Sequence, residues 1–303
     1  MIELGRLRAL CAVAGHGTVT AAAAALRCTP SAVSQHLAKL ERETRSTLVM
    51  REGRGIRLTE AGRVLVEHGT RVLSAVEAAE AALAAHHGSV SGRVTVASFP
   101  TACRGLMPFT LKKLATDHPE LRPGLLEADR DLMVEALRRG TVDVAVLDEW
   151  PEIPVALPDE IAHRELGHDT ADLVVPAGHR LASGPFRLAE LADERWIGAI
   201  PGSVCHEWLL RAVPGVSPDY LVAEFETQLT LVAAGLGVAF VPRLARTDLP
   251  DGVVVREVTP PARRRVLLAW RRASQPRPAV SATLSALISS WNDLSARAVP
   301  QPA

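Results

Sequence analysis

Cysteine is scarce and scattered in this chain of 303 residues. The four present, Cys11, Cys28, Cys103 and Cys205, form no C-x-x-C pair, so neither a disulfide framework nor a zinc-ligand set is expected. Cys11 shares the apolar face of a first helix with Leu7, Leu10 and Ala14, where a thiol packs as a small hydrophobe. No apolar run approaches the length of a membrane span, and Met1-Ile2-Glu3-Leu4 lacks the basic start and apolar stretch of a secretory signal. The expectation is a cytoplasmic chain with no membrane partner. Also missing are a G-x-S-x-G elbow, an H-E-x-x-H pair, a phosphate loop and a glycine-rich dinucleotide signature. His163, His168, His179 and His206 invite a search for a triad or metal cluster, but no spacing supports one. Catalysis, a metal and any other cofactor are therefore not expected.

Lysine is scarce too. Arginine carries nearly all the positive charge and alanine abounds, a pattern of GC-rich coding more than of chemistry. Net formal charge is zero, which taken alone argues against nucleic acid, yet its distribution matters more. Before Ala61 the basic residues Arg6, Arg8, Arg27, Lys39, Arg42, Arg45, Arg51, Arg54 and Arg57 outnumber the acids Glu3, Glu41, Glu43, Glu52 and Glu60. With 48% hydrophobic residues the chain can build two or three cored domains.

The basic surplus coincides with two helical patterns set back to back. Val19, Ala22, Ala23 and Leu26 fall at i, i+3, i+4 and i+7, on one face of a helix that Thr18 can cap. A second helix opens with Thr29 as N-cap and Pro30 at the first helical position. It has an apolar face of Val33, Leu37 and Leu40. Opposite lie Ser31, Ser34, Gln35 and Ala38, flanked by His36 and Lys39, a surface able to approach base edges and phosphates. The short turn Arg27–Thr29 suits a helix-turn-helix; two amphipathic helices of an ordinary bundle are the bland alternative. A following turn in which Arg51, Arg54 and Arg57 alternate with Gly53 and Gly55 reads as a basic wing against the DNA backbone or minor groove.

Ala22-Ala23-Ala24-Ala25-Leu26, Thr29 through Leu37, Leu40-Glu41 and Leu58-Thr59-Glu60-Ala61-Gly62, in that order, resemble the N-terminal domain of LysR-type transcriptional regulators. Two positions depart from the family's pattern: Leu48-Val49 stands where a Leu-Phe pair is common, and Pro30 where Gln or Ser is frequent. The resemblance implies double-stranded promoter DNA as partner, a homodimer or homotetramer, and RNA polymerase as a further partner.

From Thr59 to about His87, Leu65, Gly69, Val72, Val76, Ala79 and Leu83 keep a coiled-coil spacing. This predicts a long helix paired across two chains, the alternative being a helix lying on its own domain. By resemblance it is the linker helix that makes the dimer. After the Gly- and Ser-rich break at 88–92, strands (93–98, 121–127, 142–147) alternate with helices (to about 118, and 131–139). That series predicts a parallel sheet with helices on both faces. A second series places strands at 172–175, 195–200, 220–225 and 237–241, with helices at 204–212 and 228–234. A strand at 265–270 and a final amphipathic helix containing Val280, Leu284, Leu287, Ile288, Trp291 and Leu294 follow. The expected fold is a multidomain α+β chain: a winged helix-turn-helix (1–58), a linker helix (59–88), a hinge (89–92) and a two-lobed α/β effector domain. By resemblance that domain follows the plan of periplasmic binding proteins, lobe 1 being 93–163 with 265–303 and lobe 2 being 164–264.

Ligands of open α/β sheets bind beyond the carboxyl ends of strands, where helix N-termini point. The residues so placed are Ser98, Phe99 and Thr101 after the first strand, Asp129 after the second, and Gly202, Ser203, Glu226 and Thr227 in the other lobe. Read alone they are equally ordinary caps and turns; the family resemblance favours a cleft for a small-molecule effector. Hydroxyls and helix dipoles there suit a carboxylate or similar anion, while Asp129 suits an amine or guanidine, and Phe99 and Trp208 supply apolar contact or core. Cys103 and Cys205 lie near helix starts, where a dipole can lower a thiol pKa. A redox- or metal-responsive regulator is therefore the alternative, with His206 as a further donor, and an enzyme built on the lobes is a weaker one. His179 resembles the His-x-Leu-Ala turn of such effector lobes.

Overall fold

A computed structural model of the chain describes residues 1–52, 55–86, 90–183, 186–246 and 249–297. The chain divides into two compact units, Met1–Gly88 with Arg139–Thr141, and Ser89–Arg138 with Val142–Ala303.

The first unit holds α1 (Leu4–His16), α2 (Val19–Leu26), α3 (Pro30–Thr44), β1 (Val49–Glu52), β2 (Gly55–Leu58) and α4 (Glu60–His86). Its helices start and stop where side chains or backbone conformation dictate. Thr18 Oγ1 accepts from Ala21 N and Thr29 Oγ1 from Ala32 N, each at 3.2 Å, meeting donors that a helix start leaves open. Gly17 (φ 70°) ends α1 and Arg27 (φ 53°) ends α2, both in the left-handed region. The first helix thus runs two residues beyond the Ala14 expected, with Gly15 inside it. Leu10, Val13, Ala22, Ala23, Val33, Leu37, Leu40 and Leu48 form the core of the head. Leu26, expected on that face, is 36% exposed, because α2 ends there.

The motif residues after α3 hold the wing and the long helix in place. Glu41 Oε1 accepts from Leu48 N (2.8 Å) and Val49 N (3.3 Å), anchoring the start of β1. Thr59 Oγ1 donates to Thr47 O (2.7 Å) and accepts from Gly62 N (3.0 Å), capping α4. A Cβ at Gly62 would stand 2.1 Å from Leu48 O, so only glycine lets α4 start against the strand. The seam expected along α4 is divided. Leu65 packs against the head's core, and a Cβ at Gly69 would meet Leu7 Cδ1 at 2.7 Å. Farther along, Val72 (47%) and Leu83 (67%) are exposed. The first turns therefore lie on their own domain, while Val72, Ala79 and Leu83 beyond them are exposed within the chain and Val76 is half-buried.

In the second unit β3 (Gly92–Ser98) leads to α5 (Pro100–Gly105) and α6 (Met107–Asp117). One helix to 118 was expected; the chain instead breaks at Leu106 (φ −115°). Then come β4 (Leu121–Glu127), α7 (Arg130–Arg139), β5 (Val144–Glu149) and β6 (Ile161–Pro176), followed by β7 (Phe186–Arg187), β8 (Ile197–Ala199), α8 (Val204–Ala212), β9 (Tyr220–Val222), α9 (Phe225–Ala233), β10 (Ala239–Pro242), β11 (Val253–Arg256), β12 (Val258–Thr259), β13 (Ala262–Arg271) and α10 (Pro278–Arg297).

The main sheet runs β10-β6-β13-β5-β3-β4, with β11 also on β6. As expected, β3 pairs in parallel with β4 and β5. The parallel set does not continue, since β13 is antiparallel to both β5 and β6. The strand expected at 172–175 is the end of a 16-residue strand. Its first part, from Ile161, pairs β13 and its last part pairs β10 and β11. Thus β6 and β13 are the strands that cross between two lobes with separate cores. One core is built on Val96, Val144, Val146, Leu268 and Leu287, the other on Trp150, Leu173, Trp196, Trp208 and Phe240. Among the described residues no helix is long and apolar enough to cross a membrane.

Candidate functional site

In the head, α3 presents two opposed faces. Val33, Leu37 and Leu40 are buried at 5% exposure or less, while Ser31, Ser34, Gln35, Ala38 and Lys39 are exposed. Ser34 Oγ donates to Pro30 O at 3.0 Å, which leaves its lone pairs open. Thr29 and Pro30 sit exposed at the helix start, and half-buried Thr18 is engaged as the cap of α2. His36 departs from the expectation of a groove-side flank. Its Cε1 lies 3.9 Å from where a Cβ of Gly5 on α1 would be, and its Nδ1 is buried without a partner. The ring is directed toward α1.

The wing is an antiparallel hairpin in which Met50 pairs with Arg57 and Arg51 with Ile56. Directly opposed residues share a face, so Arg51 and Arg57 lie on opposite faces and cannot follow one DNA strand from the same side. Arg57 is also held by Glu52 (Nε–Oε1 3.3 Å) and by Met50 Sδ (3.2 Å). Arg54, the third wing arginine, lies outside the described residues, as do the first hinge residue Ser89 and Gly88 before it.

In the second unit the polar groups expected to line a cleft are mostly engaged already. Arg264, only 2% exposed, reaches across the strand ends. It donates to Asp148 Oδ2 (2.9 Å), to Asp169 Oδ2 (2.7 and 3.1 Å) and to Thr101 Oγ1, and it lies over the Phe99 ring at 4.7 Å. Asp169 Oδ1 in turn accepts from Leu244 N at 3.2 Å. Burial pulls the Arg264 guanidinium down, but Asp169 and Asp148 more than offset this and hold its pKa above the ordinary value. Ser98 is fully buried, Thr101 is 4% and Phe99 4% exposed. These lobe 1 residues therefore face Arg264 and the core, not an open anion site. Sequence reasoning missed Arg264 because Arg263-Arg264-Arg265 reads as a solvated charge run. The signal lay in strand alternation, which puts Arg264 on the inward side with Ala262 and Val266.

Asp129 is exposed before α7, its carbonyl accepting from Met133 N at 3.0 Å. Gly202 forms an exposed turn at φ 86°. Ser203 is engaged as the cap of α8, donating to Ile200 O (2.8 Å) and accepting from His206 N (3.3 Å). Glu226 and Thr227 are exposed but lie inside the first turn of α9, not ahead of it as expected. Glu226 makes an ion pair with Arg104 of α5, joining helices of the two lobes. Trp208 is core, stacked on Trp150 at 4.2 Å and edge-on to Phe240 at 5.2 Å. His179 holds its turn, accepting from Leu181 N at 3.3 Å and meeting Glu194 through Nε2 at 3.3 Å.

The lowered thiol pKa values expected at helix starts are corrected. Burial pushes Cys103 up to about 11, aided by Glu127 and countered by a hydrogen bond to Ser98. Burial likewise pushes Cys205 up to about 12, with Arg264 opposing and Asp148 and Asp169 adding to it. Desolvation of the thiolate outweighs the dipole at both. Beside Cys205 a small cavity of about 20 Å³ opens between α8, α9 and the ends of β8 and β10.

The comparisons with known proteins agree with this architecture. Residues 4–63 match the bacterial regulatory helix-turn-helix protein, lysR family, and residues 87–292 match the LysR substrate binding domain. Among similar proteins, the small neutral protease regulatory protein of Streptomyces lividans is 33% identical over 282 residues, covering 90% of this chain and 79% of the relative. The HTH-type transcriptional regulator CatR of Pseudomonas putida is 31% identical over 259 residues, covering 82% and 86%. Of solved structures, full-length OxyR from Pseudomonas aeruginosa superposes with a TM-score of 0.74 at 23% identity, covering 96% of this chain and 97% of that one. CbnR in complex with its target DNA gives 0.63 at 22% identity, covering 95% and 99%. At such identities the two structures show the fold. The two family matches together span nearly the whole chain, and it belongs to the LysR family of bacterial transcriptional regulators, with a helix-turn-helix DNA-binding domain and an effector-binding domain.

Proposed function

We propose that Ser31, Ser34, Gln35 and Lys39 on the exposed face of α3 enter the major groove of promoter DNA, with Thr29 and Pro30 at its leading end. One wing arginine, Arg51 or Arg57, meets phosphate. The observation that carries this is the division of α3: its apolar side closes the head's core, and its outer side offers small polar groups and one cation, with no acid before Glu41. Such a surface can approach base edges without charge repulsion. Two copies joined through the uncovered part of α4 would supply two heads for two half-sites, as a dimer or a dimer of dimers. The reading places the protein in the cytoplasm, acting on RNA polymerase at the promoter and catalysing no reaction.

The two lobes supply the control. An effector acts only through unequal affinity for two arrangements of the protein, and the crossing strands β6 and β13 are where lobe movement would concentrate. Support for a redox trigger is weak, since both thiols near the cleft are held protonated.

Footprinting the purified protein on DNA upstream of its own gene tests the reading, with Gln35→Ala as the discriminating variant. Two protected half-sites, and a loss of preferred-site affinity by Gln35→Ala that exceeds its loss on random DNA, are expected. Equal losses on every sequence would remove Gln35 from the readers. Failure of the parent protein to bind any member of a random DNA library would overturn the reading as a whole.

A further inference from the structure

The cavity beside Cys205 has a composition that bears on the kind of molecule the lobes receive. Its walls are Trp150, Trp208, Phe225 and Phe240 with Cys205 and Gln228, and no residue lining it carries a charge. It opens at the carboxyl ends of β8 and β10 and the first turns of α8 and α9, where an α/β sheet takes its ligands. Within this apolar wall Gln228 is 2% exposed, and among the described residues its side-chain amide makes no hydrogen bond. Trp150 Nε1 in the same wall is buried without a partner. An unpaired buried donor is costly, and it and the Gln228 amide face a space where water or a polar group of a ligand can meet them.

The surroundings discriminate between entrants. A carboxylate would lose its hydration with no cation in the wall to replace it. The cation that acts on Cys205, Arg264, is already engaged by Asp148 and Asp169, and both carboxylates act on Cys205 in the cavity wall in the sense that disfavours negative charge. At about 20 Å³ the cavity has room for one water-sized group, so the rest of any ligand lies in the cleft outside.

We propose that this cavity seats an uncharged polar end group of the effector, an amide, carbonyl or hydroxyl, against the Gln228 amide. The end of the effector that enters is then neutral, in place of the anionic end that the loop hydroxyls suggested. This rests on the reading of the two lobes as an effector domain and specifies its ligand.

The test titrates the full-length protein with phenylacetamide, 2-phenylethanol and phenylacetate, following the fluorescence of the Trp150–Trp208 stack. The two neutral probes should give saturable changes, with phenylacetate weaker by about tenfold or more, and Gln228→Leu should weaken phenylacetamide by about tenfold while melting like the parent. Gln228→Met serves as a second variant should Leu disturb folding. Phenylacetate binding as tightly as the amide, unchanged amide binding in both variants, or no saturable change with any probe would each overturn the proposal. The same compounds are then added to the DNA-binding assay. A charged compound that alters DNA affinity without occupying the cavity would leave the effector reading standing and discard this ligand class. Cavity occupancy by neutral probes, with DNA affinity indifferent to every compound, would discard the effector reading instead.

Discussion

Replacing Arg264 by methionine keeps much of the side chain's length and apolar stem but removes the guanidinium. Asp148 (5% exposed) and Asp169 (3%) are then left facing each other's charge without their shared cation, and Phe99 loses the group stacked on it. Breaking a buried pair by deleting one partner costs about 3–5 kcal/mol, because the remaining charge stays desolvated. For a unit of about 200 residues, at 2–4 °C per kcal/mol, the melting temperature of the second unit should fall by about 6–20 °C. Calorimetry of the full chain reads this directly, while DNA binding at low temperature reports that the head is intact. Adding Asp148→Asn and Asp169→Asn to Arg264→Met should recover most of the loss, since the penalty comes from uncompensated carboxylates and not from missing volume. A single variant that melts within about 1 °C of the parent, or a triple variant no better than the single, would refute the electrostatic account.

Gly62→Ala should destabilise the head by about 1–3 kcal/mol, because its Cβ would overlap the Leu48 carbonyl; denaturant unfolding of the head checks this, and an unchanged midpoint would contradict it. Alkylation at pH 8 followed by mass spectrometry should label exposed Cys28 before Cys103, with Cys205 slowest, because burial keeps the last two protonated. For the same reason the stability associated with these two thiols is fully present below their unfolded value of 9.0 and is lost as pH rises toward about 11 and 12. Cys205→Ala should therefore flatten the decline in stability above pH 9, and an identical alkaline profile would count against it. Because Arg51 and Arg57 occupy opposite faces of the wing, alanine at only one of them should lower the salt dependence of DNA binding by about one unit of slope; equal effects from both would contradict the hairpin register.

Local signals foretold the head well. Thr18 and Thr29 cap helices because a hydroxyl at a helix start has few better partners, and Gly62 and Glu41 act within a short span of their neighbours. The cleft was harder to read. Ser98, Thr101 and Ser203 stand at strand ends and helix starts as their types suggest, yet what they face depends on Arg264, which lies far away in sequence. Trp208 and His179 carried two readings each, and it was packing that made both structural. The seam of α4 could not be assigned from spacing, since Leu65 and Val72 have the same periodicity and differ only in whether α1 lies over them.

Residue pattern alone determined that this chain would make a helix-turn-helix with a wing, a long helix and an alternating α/β domain, because periodicity, caps and turns act over a few residues. Tertiary structure decided the rest: that β6 and β13 cross between lobes, that the middle arginine of a basic run is buried between two aspartates, and that both cleft thiols stay protonated. These outcomes depend on burial and on charges brought together from distant segments. Desolvation acts on a group only after the whole fold has closed around it.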